Sequence, residues 1–383
     1  MKRNHLYVLK SIANIPYLLP IGQMIADQRR GVQLNETGVF LWNLLETPKT
    51  TDELVKLCAL HYEMDQEDIP LLEKDITDFL STLNARGILL PDSEDLHPRT
   101  SFYHCMKIAG LTCGLYGNPE AFSHNFDAFF CEFTASVQQT IEVLTDVIPL
   151  HENGTLLLRN DELSIMECND KYIILFPASN HIREVHLQKD ASFARFYCTP
   201  PFTDDFREEL FHAIRLTFLY LAQKNHMIVL HSASILYREK AWLFSASSGT
   251  GKSTHANLWA ELLQAPVLNG DLNLLAMEGQ TPVIHGLPWC GTSGICNTAT
   301  YPLGGIILLR RSDTDYVSCL SDDEKLLLIT QRLISPCWTG AQLEHNLQLV
   351  EQITKHIFTC RLFCTPNPSA MEVLKKEIDS LYF

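Results

Sequence analysis

Between the apolar segment Ala241-Trp242-Leu243-Phe244 and a helical pattern over 255–263 stands the run Ser247-Ser248-Gly249-Thr250-Gly251-Lys252-Ser253-Thr254. A strand, a glycine turn and Lys-Ser at a helix start form the local order that a triphosphate-binding loop needs. Glycines let backbone N–H groups converge on phosphate oxygens without a β-carbon in the way, and the helix N-terminus adds partial positive charge. In that arrangement Ser248, Gly249, Thr250, Gly251 and Thr254 line the cradle, and Lys252 reaches the outer phosphates. The Ser253 hydroxyl ligates Mg²⁺. The segment therefore predicts an ATP or GTP site. Ala246 stands where such loops usually begin with glycine, so the turn enters with slightly different dihedrals. A Gly-Ser turn capping an ordinary helix is the plainer reading. It leaves a lysine in the first helical turn, where a cation opposes the macrodipole unless an anion binds.

Composition narrows the partners. A net charge of −15 over 383 residues argues against nucleic acid as the main ligand. No apolar run approaches the roughly 18 residues of a membrane span, and residues 1–10 lack the apolar core of a signal peptide. Twelve cysteines without a C-x-x-C pair point away from zinc and disulfide frameworks and toward reduced thiols in the cytoplasm. Cys290 and Cys296 read as packing residues.

The length accommodates two or three domains. Residues 1–92 carry β-type segments at 17–19, 24–27 and 32–34. A helix opens at Asn35 and a second at the capping box Thr50-x-x-Glu53. A third helix places Leu72, Ile76, Phe79, Leu80 and Leu83 on one face, ends at Gly87 and returns as a strand at 88–90. This order suggests a winged-helix module, followed by a linker at 91–95. Residues 98–225 alternate strands with polar turns such as Asn153-Gly154 and Asn160-Asp161, which predicts a mostly antiparallel sheet and then an amphipathic helix over 206–224. Residues 226–383 alternate strands and helices around the glycine loop, with helices expected over 323–334, 342–356 and 369–381. The fold class expected is α/β, α+β overall.

Two resemblances sharpen these readings. The run Val32-Gln33-Leu34-Asn35-Glu36-Thr37-Gly38, then Phe40-Leu41-Trp42, Thr50-Thr51-Asp52-Glu53-Leu54 and Asp75-Ile76-x-x-Phe79-Leu80-x-x-Leu83, resembles the PqqD family of peptide-recognition domains over residues 10–90. The resemblance implies that a leader peptide adds as a strand at Gly31, Val32, Gln33 and Leu34 and leans on the third helix, with Leu72 and Ile76 in the groove wall. An open sheet edge supports this physically, because strand addition satisfies its unpaired backbone groups. Arg29 and Arg30 could steer an acidic leader or form a solvated charged turn. A DNA-binding winged helix is the alternative for this unit, and it lacks a Lys/Arg-rich recognition helix.

The remainder resembles the HPr-kinase/phosphorylase superfamily, related to the ATP-dependent phosphoenolpyruvate carboxykinases. The match rests on His231-Ser232-Ala233-Ser234, on the glycine loop itself and on Val267-Leu268-Asn269-Gly270-Asp271. It implies that Asp271 binds Mg²⁺ together with Ser253, and that His231 is a general base or orients one. Where the family has an Asp-Asp pair, this chain has Gly270 before Asp271. The family also includes hexamers, so a homo-oligomer is a further implication. Loop 286–294 either closes over an acceptor or buries Trp289 in a tight connection, and Arg310 or Arg311 either meets phosphate or is surface charge.

Joining the two modules predicts a cytoplasmic ATP- and Mg²⁺-dependent kinase. It would phosphorylate Ser or Thr of a ribosomally made precursor peptide held by its leader, with Lys252, Asp271 and His231 catalytic. Phosphorylation followed by elimination, or a nucleotide-gated leader-binding chaperone, are the alternative outcomes of the same parts.

Overall fold

The computed structural model of the protein describes every residue except 27, 91–95, 134–135, 146, 148, 150–153, 248 and 383. The linker expected at 91–95 and the Asn153 half of one expected turn lie outside the described residues. The chain is mixed α/β. Met1–His97 forms one compact unit; Pro98–Pro149 and Asn153–Phe383 form the other.

In the first unit, Asn35 caps the helix Glu36–Leu44 by accepting from the Gly38 N–H. Thr50 and Glu53 form the reciprocal box that starts the helix Thr51–His61. The helix Ile69–Ala85 buries Leu72, Ile76, Leu80 and Leu83 at the spacing of one apolar stripe. Tyr7–Ile12, Ile15–Pro20 and Val32–Gln33 make a three-stranded sheet with the last strand at its edge, and Leu89–Leu90 pairs with Lys2–Arg3. Residues 23–26 form a single helical turn where a strand is expected. Met24 is buried while Ile25 is 63% exposed. One turn anchored by one apolar side chain has no periodicity that could distinguish it from a short strand.

The second unit holds two large sheets. Nine strands follow the order Thr155–Arg159, Ser164–Glu167, Lys171–Leu175, Ile182–Gln188, Phe193–Cys198, Gln139–Thr145, Leu111–Tyr116, Phe102–Ile108 and Phe130–Cys131. They pair antiparallel except on the two sides of Gln139–Thr145. Against this sheet lies the helix Asp204–Lys224, capped by Thr203, burying Phe206, Leu210, Ile214 and Phe218.

The other sheet is built on Ile228–Tyr237, Lys240–Ser245, Leu272–Glu278, Thr281–His285 and Thr300–Arg311. Lys240–Ser245 pairs both with Ile228–Tyr237 and, parallel, with Thr300–Arg311, so these five strands close on themselves. Phe358–Cys364 extends the sheet in parallel beyond Thr300–Arg311. Alternation along Lys240–Ser245 sends Trp242 and Phe244 to a core with Trp259, and Ala241 and Leu243 to a core with Ile306 and Leu308. Each large side chain so buried contributes about 1.5–3 kcal/mol. The expected helices appear as Asp322–Thr330, Gly340–Thr354 and Pro368–Ser380. The first is shorter than expected, because Leu333 leaves the helical path to bridge Leu230.

Candidate functional site

The glycine run follows the buried strand Lys240–Ser245 and leads directly into the helix Lys252–Leu263. Gly249 has φ +72° and Gly251, the N-cap, has φ +115°, values that side chains beyond glycine seldom adopt. Ala246 is buried in the Trp242–Phe244 core and is not among the left-handed residues, so its methyl is accommodated. Ser248 lies outside the described residues. Thr250 and Gly251 are half-buried, and Ser253 and Thr254 are exposed on the first helical turn.

Lys252 is only 9% exposed, yet it makes no hydrogen bond or ion pair to any described residue. Burial pushes its pKa down, Asp271 pulls it up and Arg332 lowers it further. A desolvated ammonium with so little compensation is costly unless an anion joins it.

Next to it, His231 Nε2 lies 3.5 Å from Asp271 Oδ1, with both side chains about a third exposed. His231 is therefore not a buried structural histidine. Burial and Lys252 lower its pKa against the pull of Asp271, which favours the neutral ring.

A buried polar network holds this pair. The Asn269 side chain accepts from the Asp271 and Leu272 N–H groups at 3.0 and 3.2 Å, and Ser234 Oγ donates to Asn273 Oδ1 at 2.7 Å. Asn273 Nδ2 donates to the Ser232 carbonyl at 2.7 Å, while the Ser232 N–H donates to the Asp271 carbonyl at 2.8 Å. Ser245 Oγ donates to the His231 carbonyl at 2.7 Å. Fully satisfied networks of this kind define one geometry. They also give His231-Ser232-Ala233-Ser234 and Asn269-Gly270-Asp271 a shared structural reason.

One cleft opens at Asp271 and another at the glycine loop. The first, of about 560 Å³, has Asp271 in its wall together with His212, Arg215, Arg207, Glu208 and Gly291. The other, about 600 Å³, is lined by Gly249–Gly251, Thr254, His255, Arg311 and Thr365. It sits at the carboxyl ends of the parallel strands Lys240–Ser245, Thr300–Arg311 and Phe358–Cys364, where open α/β sheets hold ligands. The Arg311 guanidinium donates to the Gly249 carbonyl, so this arginine stands at the loop.

Trp289 is a core residue. Its indole N–H donates to the Phe211 carbonyl at 3.0 Å, and Phe126, Phe211 and Phe218 surround the ring. Its neighbours Cys290 and Gly291 line the cleft instead. The Cys290 thiol is pushed up by burial and by Cys296. All twelve cysteines are free thiols.

Asp271 and the exposed Ser253 are hard oxygen donors of the type that suits Mg²⁺. Among the described residues, no group of three or more His, Cys, Asp or Glu could hold a metal by itself. Arg215 and His212 belong to no motif in the sequence. They stand three residues apart on one helical face, a spacing visible only once that helix is known to border the cleft. Burial lowers the pKa of both, and Arg215 also lowers that of His212.

In the first unit, Gly31 and Gln33 are exposed at the sheet edge, with Val32 half-buried between them. Leu34, Leu72 and Ile76 are 4%, 8% and 1% exposed and pack in the unit's core. The Leu34 N–H donates to the Pro16 carbonyl. By alternation the Gln33 N–H faces away from the sheet.

Comparison with known proteins bears on this unit. Residues 22–89 match the sequence profile of the family described as coenzyme PQQ synthesis protein D, PqqD. This segment is a PqqD domain. The chain is also similar to a solved structure described as TbiB1 in complex with the TbiA(beta) leader peptide. That similarity has 26% identity over 24% of this chain and 100% of the other, with a TM-score of 0.20. No curated protein matches the chain. Among the described residues, no helix is long and apolar enough to cross a membrane.

Proposed function

We propose that this chain is an ATP-dependent kinase that phosphorylates a serine or threonine of a ribosomally synthesised precursor peptide. The PqqD domain recruits the substrate through its leader. The observation that carries the catalytic half is Lys252: a buried ammonium with no hydrogen-bond or ion-pair partner among the described residues, at a helix start behind two left-handed glycines and beside the His231–Asp271 pair.

In this reading the loop N–H groups and Lys252 hold the nucleotide phosphates, and the nucleoside lies toward the 600 Å³ cleft. Ser253 Oγ and the Asp271 carboxylate would hold Mg²⁺, which supplies charge neutralisation on the phosphates when bound. The acceptor enters the 560 Å³ cleft, where Asp271 meets its hydroxyl. Asp271, 3.5 Å from the neutral His231 ring, takes the hydroxyl proton as the oxygen attacks the terminal phosphorus and ADP departs. Arg215 faces that oxygen and phosphorus from the helix Asp204–Lys224. In the first unit the outward Gln33 N–H begins the edge to which the leader adds as a strand. Tethering by the leader raises the local acceptor concentration to about millimolar, so the cleft itself needs little selectivity.

Position 270 carries no carboxylate. The same geometry would serve a chain that binds nucleotide and leader without transfer, or one whose phosphopeptide goes on to eliminate. Mass spectrometry of candidate precursors incubated with ATP and Mg²⁺ separates the three. Gain of a phosphoryl group that disappears with Lys252→Ala supports the kinase, and loss of water marks elimination. Tight leader binding with an unchanged peptide mass would leave only the chaperone reading.

A further inference from the structure

A third cavity of about 380 Å³ lies beside the glycine loop, with Ser247 and Thr250 in its wall and Arg310, Arg311, Arg332 and Arg361 around it. Four guanidinium groups at one small cavity are out of character for a chain of net charge −15. The topology brings them together. Arg310, near the carboxyl end of Thr300–Arg311, and Arg361, midway along the parallel strand Phe358–Cys364, lie on the face that also carries Leu308. Arg332 follows the helix Asp322–Thr330, and Arg311 closes the same strand as Arg310.

Their protein partners do not balance them. Arg332 donates to the Leu328 carbonyl at 2.6 Å, but its Nε is buried with no partner among the described residues. Arg361 has one carboxylate near it, Glu324 at 3.9 Å, which is already engaged in the Ser321 capping box. Arg311 gives one bond to the Gly249 carbonyl, and Arg310 rests on the Phe363 ring. Burial and Arg361 both lower the pKa of Arg332, which with Arg361 is half-buried, while Arg310 and Arg311 are exposed at the cavity's rim. Guanidinium forks match phosphate oxygens two at a time, which is the chemistry this cavity offers.

We infer that the Arg310–Arg311–Arg332–Arg361 cavity is a binding site for phosphate oxygens in addition to the cradle formed by the glycine loop. The bound group is a phosphate or pyrophosphate moiety, either the tail of the nucleotide or a separate phosphorylated ligand. The inference goes beyond the kinase reading: pyrophosphate bound here with no phosphotransfer to peptide would sink that reading alone.

The probe is inorganic pyrophosphate, titrated calorimetrically into the full chain without metal. Lys252→Ala weakens the loop cradle and should leave a measurable pyrophosphate site. Adding Arg332→Met or Arg361→Met to Lys252→Ala should weaken that remaining site about tenfold or more. Arg361→Lys keeps the charge, loses the fork and should fall between the two, and thermal melts of every variant confirm that the comparison is made on folded protein. No pyrophosphate binding to Lys252→Ala, or equal binding to the double variants, overturns the inference. Displacement of pyrophosphate by ATP would assign the cavity to the nucleotide's own tail, and simultaneous binding would assign it to a separate ligand; both support the site.

Discussion

Ser293 occupies the space that a side chain on residue 270 would need. A β-carbon on Gly270 would collide with Ser293 Oγ and stand 2.6 Å from its Cβ. That hydroxyl is already committed, donating to the Cys290 carbonyl at 2.8 Å and accepting from the Ile295 N–H. A carboxylate at position 270 is therefore excluded by Ser293, which fills the space it would need.

Introducing that carboxylate should harm the protein. Gly270→Asp is expected to destabilise the chain by about 1–3 kcal/mol through overpacking and to lower rather than raise peptide phosphorylation. The double variant Gly270→Asp, Ser293→Gly should recover part of the stability. Urea unfolding of the three proteins checks this, and equal stability of Gly270→Asp and the parent would contradict the packing argument.

Removing the groups around the proposed phosphoryl transfer should separate binding from chemistry. Lys252→Ala should weaken nucleotide binding in calorimetry about tenfold or more. Asp271→Asn should retain most of the nucleotide affinity in metal-free buffer and lose turnover by about 10²–10⁴-fold. Nucleotide binding that survives Lys252→Ala unchanged would remove the reason for its buried position.

Leader capture should depend on one backbone N–H. Gln33→Pro deletes the donor that faces away from the sheet and leaves the pairing of Leu34 with Pro16 in place. Leader affinity should drop about tenfold while the nucleotide-dependent steps on an untethered peptide stay constant. Fluorescence anisotropy with a labelled leader measures it, and an unchanged affinity would move the binding surface elsewhere.

The second unit is anchored by a buried ion pair. Arg195 Nε and Glu142 Oε2 are 2.6 Å apart with both side chains essentially buried, and Glu142 also accepts from the Thr100 N–H at 3.0 Å. Arg195→Met alone should cost about 3–5 kcal/mol because Glu142 is left uncompensated. Replacing both partners with apolar residues should cost much less. Denaturant unfolding of the single and double variants tests the cycle.

Acid should weaken the fold before its carboxylates titrate. Burial lowers the pKa values of His231, His255 and His285, and burial with Arg215 lowers that of His212. Between the ordinary histidine value and these lower folded values, the unfolded chain binds more protons, so stability rises with pH through that window and is lost as pH falls through it. Thermal midpoints should fall by several degrees from pH 7 to pH 5. His255→Gln should flatten the slope, since the His255 Nδ1 is buried without a partner. A midpoint that is level over this range would contradict the assignment.

Local chemistry was legible in the chain. Asn35, Thr50 with Glu53, and the stripe Leu72–Ile76–Leu80–Leu83 announce their helices because caps and periodicity act over a few residues. The glycine loop likewise carries its conformation in its own composition, as the left-handed Gly249 and Gly251 show. What depended on distant segments was hidden. His231 and Asp271 are 40 residues apart and meet only because Ile228–Tyr237 pairs with Leu272–Glu278 and a buried Ser-Asn network fixes their register. The single turn at 23–26, the burial of Trp289 and the gathering of Arg332 and Arg361 follow from long-range packing, which local patterns do not encode. Short-range hydrogen bonding and backbone freedom thus determined the elements and the glycine loop, while sheet pairing decided which side chains that loop faces.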